Sequence, residues 1–457
     1  MSDVVSDFSR RKFIGSCCAA VGSTGLLSAL SQLRLLGAVA GAESDATDYK
    51  ALVCLFMAGG NDANNLLIPN DSAGYAAYAA ARTTLALPND GLLGISPTSS
   101  DGRSYGLHPS VAGLQELFVG RKAALLANVG TLVQPTTRQQ YEARSVPLPP
   151  QLFSHNDQQV QWQSSVPDRP FTSGWGGRLA DITNAFNENP QLSMSISMDG
   201  QNSFQVGGSV AQFSVSRTGV TGITGAGGDA GVVRMNALRA MFAQDSDGLF
   251  ETAFGGLTTS AIDTSALLAE ALESVPEPTV AFPVGLLGDQ LKMIARLTQV
   301  APQFGLKRQV FFARLGGWDL HDNQVTAHAT LLGEVSAAMK AFYDSTVELG
   351  VADKVTTFTA SDFGRTFNTN GDGSDHGWGS HHLVVGGAVK GGDIYGQVPV
   401  LEINGPDDTG RGRWIPTTSV DEYAATLASW FGVSESNLPL VLPNLDRFAT
   451  RNLGFMA

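Results

Sequence analysis

Three cysteines in 457 residues are too few for a disulfide framework, and two of them, Cys17 and Cys18, sit side by side near the start of the chain. A chain of this length buries enough apolar surface to fold without covalent staples. Charge is sparse and lopsided. Lysine and arginine number 29 against 42 aspartates and glutamates, a net charge of −13, which excludes a broadly basic surface for nucleic acid. Long apolar runs are missing as well. Past residue 42 no run is apolar and long enough to span a membrane, so no stable transmembrane span is expected in the mature protein. No repeat of fixed period is present. Glycine, in contrast, is abundant at 52 residues, in a chain whose 43% hydrophobic and 16% charged content is that of a globular protein.

The N-terminus reads as an address. Arg10 and Arg11 precede Lys12, Phe13 and a weakly apolar run that ends in small residues at Ala38-Val39-Ala40 or Ala40-Gly41-Ala42. Residues 1–42 resemble a twin-arginine signal peptide. Arg34 interrupts the run and opposes a membrane anchor. Cys17 and Cys18 lie too close to the arginine pair to serve a lipoprotein signal. The expectation is export by the twin-arginine machinery to the periplasm or the cell exterior, leaving residues 43–457 as one domain with Cys54 as its lone thiol.

Five short apolar runs punctuate the mature chain: 51–60, 122–130, 308–317, 353–360 and 381–389. Continuous apolar runs that end in glycine or polar residues fit buried parallel strands. Helical patterns separate them at 110–120, 321–350 and 419–433. Alternation of this kind predicts an α/β fold, a mostly parallel sheet sandwiched between helices. Residues 189–275 differ, being rich in glycine, serine and threonine at first and helical from about Val232. They are expected to form an inserted subdomain beside the sheet.

In open parallel sheets ligands gather beyond the carboxyl ends of the strands. There the sequence places Asp62 after the first run, Asp319 and His321 after the third, and Asp362 and Arg365 after the fourth. Clustered carboxylates repel one another and call for a cation. Asp319 and His321, two apart, share a side of an extended segment. Each residue also has a plainer reading: Asp62 as a turn cap, Asp319 as a helix N-cap, Asp362 as the partner of Arg365. His108 reads as support for a helix start and His328 as a structural histidine on a helix. The stretch "NTNGDGSD" mimics half of a calcium loop, but Gly379 stands where the bidentate glutamate belongs, so it reads as a polar loop that presents His376. Ser154, opening the helical stretch "SHNDQQ", reads either as a nucleophile at a helix N-terminus or, with Asp157, as a capping pattern.

The motifs "GGNDANNLLIP", "YGLHPSV", "LFSHNDQQ", "GWGGRLAD", "GGWDLHDNQ", "TASDFGRTFNTNGDGSDHGWGSHHLVVGGAVKGG" and "TTSVDEYAATLASWFGV" resemble those of the DUF1501 family, exported bacterial proteins of uncharacterised function. That family is similar to the alkaline phosphatase-like superfamily, which includes sulfatases and cofactor-independent phosphoglycerate mutases. The resemblance implies one or two divalent metal ions (Zn, Mn, Mg or Ca) held by Asp62, Asp319, His321, Asp362 and His376. It implies Ser154 as the nucleophile, with Arg365 clamping the ester. Phe363 departs from the pattern, standing where two-metal enzymes carry a histidine. The implied function is an exported metal-dependent hydrolase of phosphate or sulfate esters, acting on a small anionic ester or a sulfated or phosphorylated glycan. The alternative is a non-catalytic exported metal-binding protein of the same fold that binds a polysaccharide or a cell-envelope partner.

Overall fold

A computed structural model describes residues 48–99, 101–188, 192–220, 228–242 and 248–457. The signal peptide expected at 1–42 lies outside the described residues.

The centre of the fold is a nine-stranded sheet. Its strands are β1 (Lys50–Met57), β2 (Ala123–Gly130), β3 (Ser195–Ser197), β4 (Phe213–Ser214), β5 (Arg308–Leu315), β6 (Val355–Ser361), β7 (Ser380–Gly386), β8 (Ile394–Tyr395) and β9 (Thr418–Ser419). They are ordered β8-β2-β7-β6-β1-β5-β3-β4, with β9 pairing with the end of β2. Every pairing is parallel except those of β7, which runs antiparallel to β2 and β6. The five apolar runs thus all become strands of one mixed, mostly parallel sheet.

Seven consecutive residues of β1, Ala51 to Met57, are at most 1% exposed. A strand buried on alternating sides without interruption is covered on both faces, which explains why its sequence shows no polar alternation. Helices do the covering. Leu286–Val300 packs on β5, Gln324–Glu348 packs on Leu286–Val300 and on Ala112–Val119, and Val420–Phe431 lies on β1 and β2. Each fully buried Leu or Phe contributes roughly 1.5–3 kcal/mol. Cys54 lies inside this core as a free thiol.

The segment expected beside the sheet begins as part of it. Ser195–Ser197 pairs with β5 and carries Phe213–Ser214 outside it, so the glycine- and serine-rich stretch forms the sheet edge. Two helices follow, Gly228–Phe242 and Leu249–Glu273. Among the described residues no helix is long and apolar enough to cross a membrane.

Candidate metal centre

The order β6-β1-β5 makes neighbours of the three strands that deliver Asp362, Asp62 and Asp319. The loops beyond them are fastened together. The Ser361 hydroxyl donates to the Met57 carbonyl (2.6 Å) and accepts from the Asn61 amide (2.9 Å). The Gly59 amide donates to Asp362 Oδ1 (3.1 Å). Gly59 has φ of +123°, and a Cβ there would lie 2.4 Å from the Asp319 nitrogen, so only glycine lets the loop after β5 approach this closely. The hairpin of Arg365–Thr369 and Ser374–His376 then folds the chain back and sets His376 opposite Arg365.

The helix His155–Ser164 closes the arrangement from its N-terminal end. His155 and Gln159, four apart, share one face, and both reach Asp362 Oδ2. His155 Nδ1 lies 2.7 Å away, and Gln159 Nε2 donates at 2.8 Å. Asp362 is fully buried and meets no metal-facing atom. It acts as the acceptor that orients His155.

Three imidazole Nε2 atoms converge. His376 Nε2 lies 3.1 Å from His155 Nε2 and 3.1 Å from His321 Nε2. Asp319 joins them, with Oδ1 3.0 Å from His321 Nε2 and 3.2 Å from His376 Nε2, and Oδ2 3.3 Å from His155 Nε2. The opposite nitrogens are all engaged: His155 Nδ1 by Asp362, His376 Nδ1 by the Phe153 carbonyl (2.7 Å), and His321 Nδ1 by Asp375 Oδ1 at a looser 3.4 Å. Each of these partners is an acceptor, so each Nδ1 has a place to donate its proton and each Nε2 is left toward the shared space. Outer acceptors of this kind are how metal-binding histidines are held, so the cluster is a candidate cation site. His155, Asp319 and His376 form the one set of three or more metal-ligating groups found among the described residues. The nitrogen-rich donor set, with one carboxylate, fits Zn or Mn better than Mg or Ca.

The hydrogen bond to Asp362 raises the His155 pKa against the opposing effect of burial, with help from the charges of Asp362 and Asp319. Burial lowers that of His376, assisted by the nearby Arg365 and His155. Burial alone would raise the Asp319 carboxyl, but the hydrogen bond and charge of Arg365, with His155 and His321, hold it below its ordinary value. The centre is open on one side: Asp319 and His321 are each 44% exposed, whereas Asp362 is wholly enclosed. Phe363 is buried, its ring centroid 4.7 Å from those of both His155 and His376. It forms an apolar floor and offers no ligand.

Residues 290–411 match the family model DUF1501, described as a protein of unknown function. A search among curated proteins finds no match. Among solved structures the chain is similar to the PsFucS1 sulfatase from Pseudoalteromonas sp., at 11% identity and a TM-score of 0.36, over 89% of this chain and 72% of that one. It is similar to Ps i-CgsB at 10% identity and a TM-score of 0.37, over 88% and 77%. It is also similar to the soluble domain of lipooligosaccharide phosphoethanolamine transferase A from Neisseria meningitidis, at 9% identity and a TM-score of 0.34, over 88% and 95%.

Asp319, His321, Asp362 and His376 all lie inside the matched residues. His155 comes from outside it and was not singled out from the sequence. Its signal was the i, i+4 spacing of His155 and Gln159 at a helix start, hidden behind the capping pattern of Ser154. Four expected roles change. Asp362, expected as a ligand, is instead the buried acceptor behind His155. Asp62 is not at the centre. It is 1% exposed and paired with the buried Arg82, and it accepts from Gln324 Nε2 and from Asn64 Nδ2 (3.1 Å). A guanidinium already neutralises it, so it has no need of a metal. Arg365 is no free clamp. Buried to 1% exposure, it donates to Asp319 Oδ1 (2.7 Å), to the Gly59 carbonyl (3.3 Å) and to both oxygens of Ser374. The Ser154 hydroxyl donates to Asp157 Oδ2 (2.6 Å) and caps no helix amide. Asp157 lies about 200° around the helix from His155, and among the described residues no hydrogen bond joins Ser154 to the centre.

Proposed function

We propose that the chain is a metal-dependent hydrolase of phosphate or sulfate esters, with one divalent cation held by His155, His376, His321 and Asp319. The observation that carries this reading is the convergence of the His155 and His376 imidazoles on the Asp319 carboxylate, with His321 beside them on the exposed side. Structural metal sites are closed by their ligands, whereas catalytic ones keep a position free. When bound, the cation supplies charge that polarises the ester and stabilises the negative charge developing on it. The residues do the rest. Asp362 and Gln159 fix His155, the Phe153 carbonyl fixes His376, and Arg365 keeps Asp319 ionised and aimed inward. Phosphate and sulfate esters share a tetrahedral anionic group, and it is the exposed side at Asp319 and His321 from which such a group would reach the cation.

The direction of the Ser154 hydroxyl favours attack by water over attack by serine. The test is metal analysis of the purified protein with phosphatase and sulfatase screens, run before and after chelation. Activity should vanish on chelation and return with a single added divalent ion. Ser154→Ala should keep its rate within about tenfold, whereas a loss of more than about 10³-fold would restore serine as the nucleophile. Activity indifferent to chelation would sink the reading. Metal binding without turnover of any ester would leave the non-catalytic binding protein.

We further infer, from residues 1–42 alone, export by the twin-arginine route to the periplasm or the exterior. Replacing Arg10 and Arg11 with lysine should leave the precursor unprocessed inside the cell. Unchanged processing would remove the assignment.

A further inference from the structure

Asp62 stands away from the metal centre, yet an unbroken line of buried hydrogen bonds joins the two. Arg82, fully buried, pairs with Asp62 Oδ2, and the same oxygen accepts from Gln324 Nε2. Gln324 Oε1 accepts from the Ser374 hydroxyl (2.6 Å). Ser374 Oγ accepts from Arg365 Nε (3.4 Å), and its carbonyl accepts from the other arm of the same guanidinium. Arg365 donates to Asp319 Oδ1 at 2.7 Å. Gln324 and Ser374 are both wholly buried.

The polarity of this line is fixed from its far end. An ionised carboxylate only accepts, so Asp62 admits only the amide NH₂ of Gln324 and forces the amide oxygen toward Ser374. With its proton committed to that oxygen, the Ser374 hydroxyl turns a lone pair to Arg365 Nε. Reversing the amide would set oxygen against oxygen at Asp62 and amide hydrogens against the serine proton, two conflicts in a buried site. Arg365 is thereby held in one orientation, and through it Asp319.

We propose that Gln324 is a positioning residue for the metal centre, coupling the Asp62–Arg82 ion pair to Asp319 through Ser374 and Arg365. This rests on the metal reading given above. It assigns Asp62 a part in building the centre without contact with the metal. It also explains why a helix N-terminus on the far side of the hairpin buries a glutamine in its first turn.

The test is a double-mutant cycle read by calorimetric titration of Zn²⁺ and Mn²⁺ into chelator-treated protein, with folding checked by circular dichroism. Gln324→Leu keeps the bulk and removes both hydrogen bonds. Its metal affinity should fall about 10–100-fold, the usual effect of losing an outer partner. Asp319→Ala should also weaken binding, and adding Gln324→Leu to it should cost nothing further, because the line acts only through Asp319. Losses that multiply in the double variant, or wild-type affinity in Gln324→Leu, would overturn the proposal while leaving the metal reading intact. A wild-type protein that binds neither ion overturns the metal reading, and this coupling with it. If Gln324→Leu does not fold, Ser374→Ala cuts the same line one link further on and enters the cycle in its place.

Discussion

The chain's seven histidines divide between two regions, three at the strand ends and four in the body of the fold, under opposite constraints. His155, His321 and His376 each set Nδ1 beside an acceptor, and His376 Nε2 lies 3.1 Å from the Nε2 of each of the other two. The other four form no such cluster. His108 Nδ1 accepts from the Ser110 amide (3.0 Å), and His328 Nε2 lies 2.9 Å from Asn61 Oδ1. His381 Nδ1 accepts from the Asn128 amide (3.1 Å), and His382 packs among Trp162 and Tyr423. Burial pushes these four down to about 4, 3, 4 and 3 respectively. The lesson is that the outer partner decides the role. An acceptor behind Nδ1 frees the far nitrogen for a cation, whereas burial without a shared focus makes the ring a neutral packing element.

The division breaks most visibly at the deepest ligands. His155→Ala and His376→Ala should each weaken Zn²⁺ or Mn²⁺ binding by more than about 100-fold, beyond the loss expected for an outer partner, whereas His381→Gln should leave it unchanged at a temperature where both remain folded. Metal titration of the three variants checks this, and equal losses would erase the distinction. His321 should sit between the groups. It is 44% exposed and its Nδ1 contact is the longest of the three, so His321→Ala should cost only about tenfold. A loss as large as that of His155→Ala would show the three ligands to be equivalent.

The smallest effect concerns pH. The pKa of His382 lies below its ordinary value near 6.5, so as pH falls the unfolded chain takes up a proton before the folded one does. The stability that the neutral ring contributes is therefore full above about pH 6.5 and is lost as pH falls toward about 3. Within that window His382→Phe should flatten the dependence of unfolding free energy on pH by about 1.4 kcal/mol per pH unit, a single proton's worth. Denaturant titrations between pH 6 and pH 4 measure the slope, and an unchanged slope would mean that His382 titrates normally.

Much of the framework could be read from periodicity alone. The five apolar runs became sheet strands because strands covered on both faces carry no polar positions to confuse the pattern. The strand ends then marked Asp62, Asp319, His321, Asp362 and Arg365 as residues of one edge, and the polar loop marked His376. The partners of these side chains could not be read. Asp62 looks like a ligand until Arg82, twenty residues on and brought back by the helix Ser72–Arg82, is seen against it. Arg365 looks free until Ser374 and Asp319 saturate it. His155 was obscured by its neighbour, because Ser154 and Asp157 satisfy a local capping pattern, whereas the contact of His155 with His376 spans 221 positions and leaves no local trace.

The placement of β1 has a consequence for how the molecule is made. The first strand of the described chain lies between β5 and β6, partners that leave the ribosome more than 250 residues later. A growing chain therefore carries an unpaired apolar strand through most of its synthesis, the kind of long-range closure that folds slowly and invites misassociation. His155 must likewise wait for His376 before the cluster exists. On the proposed reading a cation can be loaded only late in biogenesis, and a truncated chain ending before residue 376 should neither close the sheet with β7 nor retain a cation.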